Sequence, residues 1–404
     1  MLMQAITLQL GYNAALVAVG AAALGIAAGA TGSFMVLRKR ALVSDAVSHA
    51  TLPGLALAFL VMVALGGDGR SLAGLMLGAA CSAWIGLVCV GWLVRHTRLP
   101  EDAAIGAVLS VFFGLGIVLL TVIQSVPLGR ASGLEGFLLG ATAGMLRSDA
   151  ILIAVGGVVI LGAALVLRRP MMMTAFDPGH AETQGIPLGR VDLAMMTLVM
   201  AITVVGLKIV GLILIVALLI IPAVTARFWT DRSHHLVGLS ALFGGVAGYS
   251  GAALSAAAPN LPTGPIIVLV SFGLFALSLL FAPGRGAVAG ALRHRRHQHQ
   301  VHLRQGLMAL ADQQPIYERL TRRMLRRAGY VRRDGVTTQS GAAAAAHVRR
   351  DEARWRALRA APGLAELANR DDGLTDIETV LTADQLSDID RRLGSVRGPV
   401  QGAV

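Results

Sequence analysis

Between residues 12 and 282 the chain repeats one pattern, an apolar run near 20 residues long followed by a short polar joint. A bilayer core about 30 Å thick is crossed by about 20 apolar residues of helix. In such a core every backbone N–H and C=O must be paired within the segment. Nine runs are read, at 12–37, 45–66, 71–94, 103–124, 149–167, 190–206, 209–226, 235–257 and 264–282. A tenth apolar stretch, 134–146, is too short to span and reads as re-entrant. The expected fold class is all-α, a polytopic membrane helix bundle of eight or nine spans. Composition agrees, with 55% hydrophobic and 14% charged residues. The opening MLMQAITLQLGYN has no basic region, so no cleavable signal peptide is expected.

Arginine placement sets the expected orientation. Basic clusters fall at Arg38-Lys39-Arg40, Arg95 with Arg98, Arg168-Arg169, Arg227 with Arg232, and from Arg285 onward, whereas the alternate joints hold Arg70, Arg130 and Lys208. The clusters and the C-terminal tail are expected on the cytoplasmic side. Glycines four apart, Gly25/Gly29, Gly74/Gly78, Gly140/Gly144 and Gly244/Gly248, let helices approach closely. Cys81 and Cys89 share one run, which fits helix packing and no disulfide framework. Lys208 reads as a snorkelling interfacial residue, APNLPTGP (258–265) as an outside turn, and Pro222 as a kink.

Near residue 285 the composition changes. Residues 285–404 carry 21 arginines against 13 acidic residues, +8 of the chain's +12. The expected organisation is a transmembrane domain at 1–284, a basic His/Arg juxtamembrane linker at 285–302 and a small cytoplasmic, mostly helical domain at 303–404. The linker holds His294, His297, His299 and His302, and an anionic lipid surface is its expected partner rather than a metal.

One stretch places ionisable groups where they are costly. In ALVSDAVSHATLPG (41–54), Asp45 and His49 are four apart, hence on one helix face. A carboxylate oxygen beside an imidazole nitrogen suits borderline divalent metals such as manganese, iron and zinc, with no thiolate nearby to favour copper(I). Ser44, Ser48 and Thr51 are candidates for weak oxygen contacts. The alternative at this point is an interfacial helix start, with Asp45 as cap and His49 snorkelling. Ionisable residues within membrane segments are by default functional.

No P-loop is present. Both lysines, Lys39 and Lys208, follow residues other than the glycine that G-x-x-x-x-G-K-[ST] requires. The chain is therefore not expected to hydrolyse ATP by that route. FDPGHAETQGIP (176–187) has the punctuation of a short helix: Asp177 at the N-cap, Pro178 at N1, Gly185 at C′ and Pro187 beyond.

FMVLRKRALVSDAVSHATLPGLALAFL resembles the signature of the bacterial ABC-importer permeases that carry manganese, zinc or iron. The resemblance continues in order through EDAAIGAVLSVFFGLGIVLL, GLEGFLLG, FDPGHAETQGIP, VGLILIVALLIIPAVTARF and NLPTGPIIVLVSF, over about residues 15–283. It implies that Asp45 and His49 are the metal ligands of a transport path. It also implies that the helix holding Asp177, Pro178, His180, Glu182 and Gly185 couples to a separate cytoplasmic ABC ATPase. Further implied partners are an extracytoplasmic metal-binding protein and a second permease chain, either identical or a sister permease. No permanently bound cofactor is implied, the divalent metal being cargo, and the location is the bacterial inner membrane. Ser44 stands where the family usually has glycine.

The tail segment PIYERLTRRMLRRAGYVRRDGVTTQSGAAAAA reads as helix, ribbon, helix and is similar to a winged helix. DIETVLTADQLSDIDRRLG resembles the second domain of diphtheria-toxin-repressor-type regulators. Asp351 and Trp355 align with a ligand His and Glu of those regulators, and Glu378-Thr379 with a Glu-His pair. Their sensor ligands are thus largely replaced. Arg319, Arg322, Arg323, Arg326 and Arg327 form a basic helix face, but nucleic acid is not the expected partner of a membrane-tethered permease. Two other readings are a membrane-anchored metal-responsive regulator with the tail as output, and a permease for a metal chelate.

Overall fold

A computed structural model of the chain describes residues 12–67, 69, 71–125, 147–207, 210–257, 261–361, 365–369 and 371–396. The 134–146 stretch, the GLEGFLLG segment, Lys208, Arg70, Arg130, the Gly140/Gly144 pair and residues 258–260 lie outside the described residues. The chain divides into two compact units, residues 1–289 and 290–404.

In the first unit every apolar run carries a helix. The helices are α1 Tyr12–Leu37, α2 Ala41–Ala64, α3 Leu72–His96, α4 Glu101–Ser125, α5 Arg147–Val166, α6 Arg168–Phe176, α7 Pro178–Thr183, α8 Leu188–Gly206, α9 Leu212–Arg227, α10 Ser233–Ala256 and α11 Thr263–Phe281. Among the described residues seven of these are long and apolar enough to cross a membrane, and the α5–α6 pair, bent by 56°, makes an eighth if taken as one span. The remaining run, 209–226, yields the short helix α9. Gly211 stands at its N-cap with φ 84° and ψ 162°, so regular helix starts only at Leu212.

The core is organised around α1, α2 and α10, which are more than half buried, whereas α4 and α11 are largely exposed. The α1–α10 seam is made backbone to backbone. A Cβ added at Gly25 would lie 2.1 Å from the Gly244 carbonyl oxygen, and one at Gly29 2.2 Å from that of Ser240. The Ser240 hydroxyl donates to the Gly29 carbonyl across the same seam. Gly54 and Gly78 bring α2 and α3 equally close. Small residues are what permits such approach in a membrane bundle. Cys89 packs half-buried against the core, but Cys81 lies on the exposed face of α3, so the expected packing role does not hold for it in the single chain.

The second unit is residues 290–404. It contains most of α12 Ala287–Ala311, then α13 Arg319–Arg327, α14 Gln339–Ala360, α15 Ala365–Ala368, a 3-10 turn at Ile377–Thr379 and α16 Ala383–Val396. Between α13 and α14 the only sheet-like pairing among the described residues is the antiparallel bridge Val331–Thr337. This is a helix, a minimal ribbon and a helix. Two small cores form here, one around Leu307, Leu325, Val331 and Ala345, the other around Trp355, Leu358, Ile377 and Ile389.

Candidate functional site

Asp45 and His49 lie within α2, on successive turns. With a rise of about 1.5 Å per residue they sit about 6 and 12 Å along a helix about 36 Å long. Asp45 is not a cap, because the helix begins at Ala41 with Arg40 at its N-cap. His49 Nε2 is 3.4 Å from Asp45 Oδ1. The imidazole is largely buried and the carboxylate about half exposed, so the pair presents an open oxygen beside a sheltered nitrogen. His49 Nδ1 is buried without a hydrogen-bond partner. Phe113 of α4 packs edge-on against the ring at 4.8 Å, which fixes its plane.

The hydroxyls around the pair behave differently from one another. Ser44 donates to the Ala41 carbonyl and Thr51 to that of Ser48, each at 2.6 Å, so both are bonded within their own helix. The family departure at Ser44 is therefore absorbed locally. Ser48 Oγ is buried and without a partner.

The base of α2 is held by an ion-pair cluster that sequence reasoning missed. The α1–α2 turn is tight. Arg40 N–H bonds to the Met35 carbonyl and Lys39 N–H to that of Val36, and Lys39 takes a left-handed φ of 58°. From this turn Arg38 reaches Asp192 near the start of α8 and the Thr174 carbonyl of α6, at 2.7 Å. Arg40 pairs with the same Asp192 at 2.9 Å and with Glu101 at the start of α4 at 3.1 Å. These side chains are mostly buried, so removing one partner would strand a charge in a poorly solvated place.

Thr174 and Asp192 flank α7. The expected caps of this short helix form. The Asp177 carboxylate accepts from the His180 N–H at 2.9 Å, and Pro178 opens the helix. Gly185 has φ 76°. Its N–H bonds to the Glu182 carbonyl and that of Ile186 to the Ala181 carbonyl, closing the C-terminal turn. His180 and Glu182 are exposed, whereas Ala181 is buried. Asp177, Pro178, His180, Glu182 and Gly185 thus form one rigid exposed element, tied through its neighbours to the turn preceding Asp45.

In the second unit Asp351 is buried, accepting from Arg304 at 2.7 Å and from the Ile377 N–H at 2.8 Å. Trp355 is fully buried. The two positions aligned with regulator ligands are thus a structural ion pair and a core residue.

Residues 12–282 match the ABC 3 transport family. The chain is 39% identical over 311 residues to the manganese transport system membrane protein MntC of Bacillus subtilis, covering 77% of this chain and 70% of that protein. It is 41% identical over 285 residues to the zinc transport system membrane protein TroC of Treponema pallidum, covering 70% and 94%. In structure it is similar to PsaBC from Streptococcus pneumoniae, solved in complex with Fab, with TM-score 0.61, 30% identity, and coverage of 70% of this chain and 98% of that one. The bundle of spans and a family match over two thirds of the sequence agree: the chain belongs to the ABC 3 transport family and is a multi-pass membrane permease.

Proposed function

We propose that the chain is the permease subunit of an importer for a divalent transition metal, manganese, zinc or iron, and that Asp45 and His49 bind the ion in passage. The observation that carries this is the pair itself, two donors 3.4 Å apart within an apolar bundle. For metal–donor distances of about 2.1 Å, that separation subtends about 108° at an ion, close to a tetrahedral angle. A carboxylate and an imidazole select borderline divalent ions without fixing which one. Two donors fall short of the usual four, as a site that must release its ion requires. A second permease chain facing the first about a twofold axis would add an equal pair.

Energy comes from a separate ABC ATPase docked on α7. Movement of α7 reaches α2 through Thr174 and Asp192, which hold Arg38 and Arg40. This gives a rigid-body route from the docking helix to the metal pair. An extracytoplasmic binding protein delivers the ion. The basic clusters support a cytoplasmic location for the joint containing α7 and for the C-terminal unit. The test is uptake of manganese, zinc and iron by cells lacking the gene. Wild type should restore one of them, and Asp45→Asn should reduce that uptake at least tenfold at equal membrane abundance. Equal rescue by both would refute the role of the pair.

A further inference from the structure

Away from the membrane helices, three more metal-binding side chains converge. His347 projects from α14, while Asp376 and Glu378 flank Ile377 at the 3-10 turn. One donor atom from each lies within 4.8 Å of the other two, and His347 Nε2 is 3.5 Å from Asp376 Oδ2. We propose that His347, Asp376 and Glu378 hold a divalent transition-metal ion, giving the C-terminal unit a binding site of its own, distinct from the Asp45–His49 pair. The choice of ion rests on the metal-import reading above, whereas the donor set does not.

One imidazole nitrogen and two carboxylate oxygens form a donor set that manganese, iron and zinc all accept. Three protein donors on an exposed surface leave coordination positions to water, so the ion would exchange with its surroundings. That suits a site that reports metal concentration better than one that locks a fold.

The spacing of the donors is built into the core. Ile377 is fully buried, and its N–H is held by Asp351, itself fixed by Arg304. Trp355 Nε1 donates to the Thr375 carbonyl just before the turn. With Ile377 pinned inward, its neighbours Asp376 and Glu378 are directed outward, toward His347. The nearest cation is already engaged. Arg354 bonds Asp390 through two nitrogens at 2.8 and 2.7 Å and Glu378 Oε1 at 2.6 Å, which leaves Glu378 Oε2 available. The same contact holds the Asp390 carboxyl below its ordinary range, so it stays ionised opposite Arg354. The set shares only Glu378 with the positions aligned to regulator ligands, since Asp351 and Trp355 serve structure.

The experiment uses the full-length chain, purified in detergent and stripped of metal, with manganese(II) as probe. Free ion is counted by electron paramagnetic resonance, and bound imidazole is detected by nitrogen modulation of the echo. His347→Ala and Glu378→Gln should each weaken one bound equivalent at least tenfold, while Asp45→Asn leaves that equivalent intact. In a His49→Ala background the nitrogen modulation should persist, and adding His347→Ala should abolish it. Glu378→Gln keeps an oxygen for Arg354, so its metal-free melting temperature should match wild type, separating lost binding from lost folding. Wild-type affinity and stoichiometry in both tail variants would overturn the proposal. So would nitrogen modulation surviving in the double variant, which would assign the ion to a histidine outside the set. Neither result bears on uptake through Asp45, which is read separately.

Discussion

Replacing Gly244 by alanine tests whether α1 and α10 pack backbone to backbone. The added Cβ would lie 2.1 Å from the Gly25 carbonyl oxygen and 2.9 Å from its carbon, whereas ordinary contact starts at 3.4 Å. The helices must therefore part locally by about 1.3 Å, the difference between those distances. Both obstacles are backbone atoms, so no rotamer change relieves them. Overpacking of this kind costs ~1–3 kcal/mol, and the upper end is expected where no side chain can yield. At roughly 2–4 °C per kcal/mol for a domain of this size, the melting temperature should fall by about 6–12 °C. The assay is thermal unfolding of the purified chain at fixed detergent. Gly91, Gly106 and Gly273 are the controls, lying in helices with nothing within 4 Å of an added Cβ. Alanine at those positions should leave melting unchanged or raise it slightly, since it favours helix by ~0.5–1 kcal/mol. If Gly244→Ala melts together with Gly91→Ala, the backbone seam does not exist.

Two further outcomes are expected. Asp351→Ala leaves the Arg304 guanidinium only Glu352, at 3.8 Å, and leaves the buried Ile377 N–H unbonded, at a cost of about 3 kcal/mol. Protease sensitivity of the C-terminal unit should rise sharply in that variant, but hardly at all in Arg391→Ala, whose partner Asp388 is exposed. Asp177→Ala removes the cap of α7, worth about 1 kcal/mol to a very short helix. It should lower ATPase stimulation and transport together while the metal-free melting temperature of the bundle stays within 2–3 °C of wild type, about 1 kcal/mol. Unaltered coupling would remove α7 from the docking role.

Features governed by local rules were legible in the sequence. The nine apolar runs follow from bilayer thickness, and each run carries a helix. The Asp177 cap and the Gly185 turn depend on residues within one short helix, and they form as read. The nearness of Asp45 and His49 needed only the helical repeat. What escaped is what joins distant segments. Arg38 and Asp192 are 154 residues apart, and no local pattern pairs an acid at the head of one run with a turn between two others. The glycine spacing marked Gly25 and Gly244 as packing residues but not as each other's partners. Asp351 aligned with a ligand position, but its pairing with Arg304 appears only once α12 and α14 are folded together.

The Arg38–Asp192 contact also separates two quantities that are easily equated. When the α1–α2 turn leaves the ribosome, Asp192 has not yet been synthesised, and the turn presents Arg38, Lys39 and Arg40 as bare cations. That is the charge an insertion machinery senses. Once α4 and α8 are in place, Arg38 and Arg40 are neutralised by Asp192 and Glu101. Of the turn's three cations only Lys39 then remains exposed, so much of the charge present at synthesis is spent in folding. Mutating Asp192 would thus leave the route of insertion untouched while changing the finished protein.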